Sequence, residues 1–247
     1  KCGNPDRDFK LTIEQEMGKV QWGKRRAILN DLAPMATFIS YNYNRHHDIN
    51  KFQAEAERIL DECEKECGWM WQTHLPDSNQ KSLFCKTVEV SYYAWSDVLI
   101  CPHCGNEIVF YEDAYDQEEG TVKKEYECSK CGVFLKKTGC EKKKKIYYDQ
   151  KLKKNIENAE QKPVLVCYLE NRRKKFKKVD ENDIEIINKI QNIDIPYWYP
   201  TDELIDGYNT QQPMTSHGLT NVHMFYTRRI LYFLSKKNQE IRLTSVL

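Results

Sequence analysis

Two Cys-x-x-Cys pairs constrain the fold of this chain more than any other feature of its sequence. The four cysteines are Cys101, Cys104, Cys128 and Cys131. Two intervening residues let a tight turn direct both sulfurs of a pair at one ion. The glycine after each pair, Gly105 or Gly132, can adopt the positive φ that such a turn requires. The spacing therefore predicts a zinc ribbon, in which four thiolates form a closed tetrahedron around Zn²⁺.

A closed site of this kind has a structural role, because it leaves no coordination position for water or substrate. Other uses of the cysteines fit less well. A thioredoxin-like redox site needs a single pair beside a βαβ pattern. Disulfides need an oxidising compartment, and the chain starts without the basic and apolar regions of a secretion signal. We therefore expect reduced cysteines and a cytoplasmic location.

Six further cysteines lie outside these pairs. Cys63 and Cys67 are one helical turn apart and are predicted to pack as small hydrophobic residues, with a second metal site as the alternative. Cys140 is close enough to the ribbon to replace a ligand, whereas His103 is predicted to be a turn residue. The cysteines predicted to be ordinary reduced thiols are Cys2, Cys85 and Cys167.

Charge is distributed unevenly along the chain. The formal net charge is +1, but residues 123–178 hold 19 Lys and Arg against 7 Asp and Glu, which leaves a net charge of −11 elsewhere. Basic side chains neutralise phosphates, and neighbouring aromatic rings can stack on unpaired bases, so nucleic acid is the predicted partner. The candidate contacts are Lys142, Lys143, Lys144, Lys145, Arg172, Arg173, Lys174 and Lys175. Solvated, lysine-rich hairpin ends are the alternative.

The periodicity of the sequence predicts an α+β fold with antiparallel strands, into which the zinc ribbon is inserted and which helices flank. Residues 48–67 have helical spacing, with Phe52, Ile59, Leu60, Cys63 and Cys67 on one side. Residues 86–100 are rich in Val, Tyr, Thr and Trp and are predicted to form a strand. Shorter strands are predicted at 108–111, 125–126, 133–135, 145–148 and 163–169, and helices at 183–190 and 222–235. No apolar run approaches the about 20 residues of a membrane span, so no membrane association is expected.

Asp31 is a candidate cofactor-binding residue. Residues 26–43 suggest a short apolar strand, an acidic turn and a helix whose first residue is Pro34. An acid at the carboxyl end of a strand that leads into a helix can accept hydrogen bonds from a ribose diol. A role as a turn or helix-capping residue is the alternative.

Five segments carry a resemblance to a known family, and they occur in the order that this family shows. They are residues 27–43 (AILNDLAPMATFISYNY), 67–71 (CGWMW), 95–105 (WSDVLICPHCG), 195–200 (IPYWYP) and 225–229 (FYTRR). Together they resemble zinc-ribbon-containing, adenine-specific DNA methyltransferases of the amino-methylating class. The resemblance implies S-adenosylmethionine as cofactor, with Asp31 at its ribose, and DNA as partner. It also implies that the methyl group is transferred to an exocyclic base nitrogen, that of adenine.

With this resemblance, four segments are expected. Residues 1–45 would be a partial, Rossmann-like cofactor-binding segment, 46–85 a helical connector and 86–180 the zinc-ribbon and β domain with basic hairpins. Residues 181–247 would be a helical part with an aromatic loop at 195–200. In that loop Tyr197, Trp198 and Tyr199 either fill the core or stack on bases.

The sequence also departs from the family. It lacks the glycine-rich D-P-F-x-G-x-G motif and the D-P-P-Y or S-P-P-Y loop, and residues 194–197 read D-I-P-Y. We therefore predict no catalytic residue in this chain and interpret it as an interior segment of a larger enzyme, inactive alone, with the rest of the parent polypeptide as a partner. The alternative is a non-enzymatic, zinc-ribbon nucleic-acid-binding adaptor.

Overall fold

The computed structural model describes residues 7–23, 28–45, 47–75, 86–116 and 120–244. The chain forms two compact units, Lys1–Arg58 and Ile59–Leu247. Their boundary lies inside the helix α3 (Ile49–Cys67), not at an end of any of the four expected segments. Predictions for Cys2, Cys85 and residues 26–27 lie outside the described residues.

The N-terminal unit contains α1 (Arg7–Met17), α2 (Pro34–Asn44) and the first part of α3. Pro34 occupies the first turn of α2, as the sequence predicts. Residues 28–30 do not form the predicted strand, because no described segment of the chain pairs with their backbone. Within the described residues, neither α1 nor α2 contains a buried side chain. A Rossmann-like arrangement is therefore not seen among the described residues of this unit.

Helix α3 is one residue shorter than predicted, because Asp48 precedes it and accepts a hydrogen bond from the Lys51 backbone N–H at 3.2 Å. The predicted apolar side is only partly buried. Phe52 and Leu60 are 59% and 49% exposed, whereas the buried residues of α3 are Ile59, Cys63 and Cys67. The helix thus contributes to the core of the second unit through its C-terminal part.

The second unit is built around antiparallel strands. The strands of three or more residues are β1 (Gln72–Leu75), β2 (Lys86–Ile100), β3 (Glu107–Val109), β9 (Lys144–Asp149), β10 (Lys154–Ala159), β11 (Gln161–Glu170) and β12 (Arg173–Lys178). The two-residue strand β8 (Glu141–Lys142) pairs with β2. Two-residue strands β4 (Tyr115–Asp116), β5 (Thr121–Val122), β6 (Tyr126–Glu127) and β7 (Phe134–Leu135) form small hairpins. The main sheet has the order β1-β2-β11-β12, and β3 and β8 pair with the C-terminal end of β2. The α+β class with antiparallel sheets is thereby confirmed.

Strand β2 has the predicted bounds, and its β-branched and aromatic residues suit a pleated, half-buried surface. Its pairing with β11 shifts register twice, which leaves Val164 on β11 and Ser91 on β2 without a directly opposite residue. Such bulges bend a strand and redirect its side chains. One predicted strand is wrong in part: β3 ends at Val109, and the short helix α4 (Phe110–Ala114) replaces its second half.

Three further helices complete the unit: α5 (Glu181–Asn192), α6 (Tyr208–His217) and α7 (Arg228–Leu243). Asp180 and Asp183 form a capping box at the start of α5. The predicted final helix is divided, because residues 222–225 form a 3₁₀ turn before α7. The main core combines residues of α3, α5, α7 and the aromatic loop: Ile59, Cys63, Cys67, Met70, Ile190, Ile195, Tyr199, Leu231 and Tyr232.

Glu66 connects three parts of this core. Its Oε1 accepts hydrogen bonds from the hydroxyls of Tyr197 and Tyr232, and its Oε2 lies 2.9 Å from Lys236 Nζ. Tyr197 and Tyr199 of the aromatic loop thus contribute to the core, whereas Trp198 is 58% exposed. Burial raises the pKa of Glu66, but the hydrogen bonds from Tyr197, Tyr232 and Lys236 outweigh it and hold that pKa below its ordinary value of 4.5.

We predict that Glu66→Gln reduces the acid sensitivity of the fold. Because the pKa of Glu66 is lower in the folded state, its charge stabilises the protein above the unfolded value of 4.5, and this stabilisation is lost as pH falls through the folded pKa. Urea unfolding of both proteins at pH 6 and below pH 4 measures the difference. An identical pH dependence in the variant would contradict the proposed role of this carboxylate.

We also predict that Gly218→Ala lowers the melting temperature. Gly218 ends α6 with φ +74°, and a Cβ there would lie 2.3 Å from the backbone oxygen of Glu157. The left-handed backbone alone costs about 1–2 kcal/mol for other residues. The matched control is Gly120→Ala, since Gly120 has φ +67° but its nearest neighbour atom is 3.9 Å from the added Cβ. Equal melting temperatures for the two variants would show that the close approach of Gly218 to Glu157 is wrong.

Candidate metal centre and basic surface

The two cysteine pairs adopt the same local structure. Strand β2 ends at Ile100 and leads directly into Cys101, whose N–H donates to Asn106 O and whose O accepts from Gly105 N, both at 2.9 Å. At the second pair, Cys128 N donates to Val133 O and Cys128 O accepts from Gly132 N, also at 2.9 Å. Both glycines have positive φ, +70° and +72°. The predicted turns are present, and each places two sulfurs on the inner side of its turn.

The four sulfurs come together in one cluster, with all Sγ atoms of the two pairs within 4.8 Å of one another. Cys101 Sγ lies 3.8 Å from Cys131 Sγ, and Cys104 Sγ lies 3.7 Å from Cys128 Sγ. A disulfide would bring sulfurs to about 2.05 Å. In a regular tetrahedron with metal–sulfur bonds of about 2.3 Å, neighbouring sulfurs are about 3.8 Å apart. The four cysteines could therefore bind a metal ion, and their spacing is compatible with zinc.

The protonation of the sulfurs is uneven. The backbone N–H groups of Cys131 and Lys130 lower the pKa of Cys128 to about 6. The backbone N–H of Asn106 also lowers the pKa of Cys104, but desolvation and hydrogen bonds to the other three cysteines outweigh it and raise that pKa to about 12. Four neighbouring thiolates therefore need a cation to remain ionised together.

The residues for which a ligand role was the alternative, or which were close enough to replace a ligand, lie outside this cluster. His103 is exposed, and Cys140 accepts a hydrogen bond from the Tyr126 hydroxyl at 3.6 Å. Cys63 and Cys67 are 0% and 1% exposed, and burial raises the pKa of Cys67 to about 11, which is the behaviour of small hydrophobic side chains. Over residues 7–23, 28–45, 47–75, 86–116 and 120–244, no second group of three or more potential ligands is close enough to hold an ion.

The first predicted basic cluster is largely neutralised by neighbouring acids. Lys142 Nζ lies 3.2 Å from Asp97 Oδ2, and Lys143 Nζ lies 2.7 and 2.8 Å from carboxylate oxygens of Glu107 and Glu160. Lys144 is 3.4 Å from Glu157. Most of the charge of residues 142–145 is thus balanced within the fold.

The second predicted basic cluster, residues 172–175, has more positive charge that is not balanced by ion pairs. Arg172, Arg173 and Lys174 are exposed at the turn between β11 and β12, and none of them forms an ion pair in the described part of the chain. Lys175 is paired with Glu170. Asn171 and Arg172 have φ of +50° and +61°, as a two-residue hairpin turn requires. We call the exposed residues 172–174 the basic hairpin tip.

Asp31 is not part of a cofactor site in the described residues. It is exposed, and its Oδ1 accepts a hydrogen bond from the Ala33 N–H at 2.8 Å, which is the turn role given as the alternative. A shallow surface depression nearby is lined by Leu29, Thr37, Tyr41 and Arg45, but Asp31 does not contribute to it. Residues 28–30 form no strand, and no glycine-rich loop precedes Asp31 among the described residues, so these residues do not fit S-adenosylmethionine.

One feature that sequence reasoning missed is a cavity of about 200 Å³ between β2, α5 and α7. Its walls come from segments that are distant in sequence, so no local pattern indicated it. The sequence contains an aromatic run on β2, Tyr92-Tyr93-x-Trp95. Because successive side chains of a strand alternate between its two faces, this run indicates aromatic rings on both faces of the sheet.

We predict that Cys128→Ser abolishes stoichiometric metal binding and lowers the melting temperature, because three thiolates and a hydroxyl do not complete the closed site. The control is Cys140→Ser, which changes the same atom outside the cluster and should retain one equivalent of metal. Elemental analysis and thermal unfolding of purified protein measure both effects. One equivalent of zinc and an unchanged melting temperature in Cys128→Ser would exclude the Cys₄ site.

Comparisons with known proteins add no relative. No family model, no curated protein and no solved structure matches this chain. Among the helices that the structure describes, none combines the length and apolar character that crossing a membrane requires. The functional interpretation therefore rests on the sequence motifs and on the chemistry of the residues described above.

Proposed function

We propose that this chain is the zinc-stabilised, DNA-binding part of an S-adenosylmethionine-dependent DNA methyltransferase that modifies an exocyclic base amine, that of adenine. The observation that carries the proposal furthest is the tetrahedral spacing of Cys101, Cys104, Cys128 and Cys131. The order of the five motif segments supports the methyltransferase assignment.

In this proposal zinc holds the ribbon together and takes no part in chemistry. The ribbon core contains few apolar residues besides the cysteines: Leu99, Ile108, Ala114, Tyr126 and Leu135. A core of this size does not stabilise a fold without additional cross-links, so metal binding and local folding form one equilibrium.

The basic hairpin tip is proposed to contact DNA phosphates. Its charge is not balanced by ion pairs among the described residues, unlike that of Lys142 and Lys143. Two exposed aromatic rings lie in the same sheet as the tip. Phe176 on β12 is 54% exposed, and Tyr92 on β2 is 45% exposed. Exposed cations beside exposed rings suit phosphate contact combined with base stacking.

Cofactor binding and catalysis are proposed to depend on the rest of the parent polypeptide. S-adenosylmethionine would supply the transferred methyl group, but the residues around Asp31 do not form a site for it. Helix α2 bears exposed apolar side chains, including Met35 and Phe38 at 67% and 64% exposure. Such a surface suits packing against further protein. By itself the chain is expected to transfer no methyl group.

A non-enzymatic nucleic-acid adaptor is the second candidate, and the poor fit of Asp31 to a cofactor favours it. Both candidates use the zinc ribbon and the basic hairpin tip. They differ in their genetic context, because only the methyltransferase requires a glycine-rich D-P-F-x-G-type motif upstream and a P-P-Y-type motif downstream in the parent reading frame. Absence of both motifs there would favour the adaptor.

We predict that the chain binds duplex DNA weakly and with strong salt dependence, through the basic hairpin tip. Each phosphate contact adds about 0.9 to the magnitude of the slope of log K against log salt concentration. The triple variant Arg172→Gln/Arg173→Gln/Lys174→Gln should therefore reduce that magnitude by up to about 2.7. Fluorescence anisotropy with a labelled duplex at several salt concentrations measures the slope.

A matched control removes the same charge elsewhere. In Lys51→Gln/Lys65→Gln/Lys123→Gln, the three lysines are exposed and each is paired with an acid, so the slope should remain close to that of the unmodified chain. An equal change of slope in both triple variants would assign the effect to net charge alone. No DNA binding at low salt would contradict the proposed function.

A further inference from the structure

The hairpin formed by β9 and β10 has one open edge. Among the described residues, these two strands form a sheet of their own. The outer edge of β10 is covered, because Gly218 at the end of α6 lies against the backbone of Glu157 and Asn158. No described strand pairs with the outer edge of β9. The backbone of β9 is therefore available for a further strand.

The hydrogen bond at the base of this hairpin identifies the backbone groups at the open edge. The Glu160 N–H donates to Lys143 O at 2.7 Å. In an antiparallel pair every second residue bonds to the neighbouring strand, so the residues of β9 that bond to β10 are Lys145, Tyr147 and Asp149. The N–H and C=O groups directed away from β10 belong to Lys144, Ile146 and Tyr148. Such a row of unpaired groups is a template for pairing with another strand.

The side chains of β9 do not protect this edge. Exposed edge strands commonly carry lysines that oppose pairing, and β12 at the edge of the main sheet has five basic residues among its six. Strand β9 instead exposes Ile146 and Tyr148, at 67% and 59%. Tyr147 faces the other side of the hairpin, opposite the buried Ile156. The open edge of β9 thus combines unpaired backbone groups with exposed apolar surface.

The order of residues along β9 is complementary to itself. Residues 144–148 read Lys-Lys-Ile-Tyr-Tyr. When a second copy of β9 runs antiparallel with Ile146 opposite Ile146, residue 144 faces residue 148 and residue 145 faces residue 147. Every lysine then lies opposite a tyrosine of the other copy, where its ammonium group can contact the ring. A shift of two residues towards the N-terminus would instead place Lys145 opposite Lys145, and like charges in that position oppose pairing.

We propose that two copies of this chain associate through antiparallel pairing of β9 with β9, around a two-fold axis at Ile146. The two hairpins join into one continuous sheet, and each copy contributes the same residues, as two-fold symmetry requires. Lys145 forms no ion pair in the described part of the chain, so its charge is available to the tyrosine of the other copy. A single pair of six-residue strands is a small interface, which makes the dimer reversible.

This inference does not depend on the proposed function, because it uses neither the basic hairpin tip nor a bound metal. Sedimentation velocity of the full 247-residue chain, without DNA and from about 1 µM to about 500 µM, covers the range of micromolar association. We expect monomer at the lowest concentration and dimer at the highest. Monomer at every concentration would overturn the inference.

Residue 146 offers a direct test of the axis, because it faces itself. Both Ile146→Lys and Ile146→Glu bring like charges together at the axis, so each variant should remain monomeric throughout this range. An equimolar mixture of the two variants should associate again, since opposite charges then meet there. The matched control is Ile205→Lys, because Ile205 is 85% exposed and lies outside the hairpin, and it should dimerise as the unmodified chain does.

Dimerisation of either Ile146 variant alone would contradict the proposed interface. Failure of the equimolar mixture to associate, with the melting temperatures of both variants unchanged, would contradict an axis at Ile146. Loss of dimerisation in Ile205→Lys as well would assign the effect to added charge and overturn the inference.

Amide hydrogen exchange of the unmodified chain tests the edge without any substitution. Raising the protein concentration should slow exchange of the Ile146 and Tyr148 N–H groups, which become bonded only in the dimer. Exchange of the Tyr147 N–H, which is already bonded to β10, should change less. Equal rates at low and high concentration, or equal slowing of all three amides, would contradict pairing through the open edge of β9.

Discussion

Mutual repulsion of four neighbouring thiolates is the constraint on which the ribbon depends. Their sulfurs lie within 4.8 Å of one another, and backbone N–H groups already favour the ionised form of Cys128. The backbone hydrogen bond from Asn106 lowers the pKa of Cys104, but desolvation and hydrogen bonds to the other cysteines outweigh it and raise that pKa to about 12. Without a cation the two turns lose the attraction that joins them. The apolar residues around them are too few to replace it. We therefore propose that metal binding determines whether the segment between β2 and β8 is folded.

Strand β2 connects the cysteine cluster to the rest of the second unit. It pairs with β1 and β11 along most of its length and with β3 and β8 at its end, where it leads into Cys101. The same strand supplies Tyr93 and Trp95 to the cavity between β2, α5 and α7. At about 3.3 Å per residue, Tyr93 and Cys101 are about 26 Å apart along the strand. The four cysteines therefore lie apart from the cavity between β2, α5 and α7.

Features governed by neighbours in sequence could be predicted, and features governed by distant ones could not. The two turns of the metal centre and strand β2 follow from local spacing and residue type, as does Pro34 at the start of α2. Helix α6 was missed because it contains Pro213 and has no apolar periodicity. From the sequence, Lys142 and Lys143 were predicted to contact nucleic acid. Their ion-pair partners Asp97 and Glu160 are distant in sequence and come close to them only in the folded sheet. The cofactor-binding role of Asp31 was inferred from a strand preceding it, and residues 28–30 do not form that strand.

The central claim is that a closed site of four sulfurs around zinc organises this fold. X-ray absorption at the zinc edge of the purified chain tests it most directly, because it counts the ligands and measures their distances. Four sulfur ligands at about 2.3 Å, with no nitrogen or oxygen neighbour, are the predicted result. Fewer than four sulfurs, a nitrogen or oxygen ligand in the first shell, or a folded ribbon in protein free of metal would contradict it.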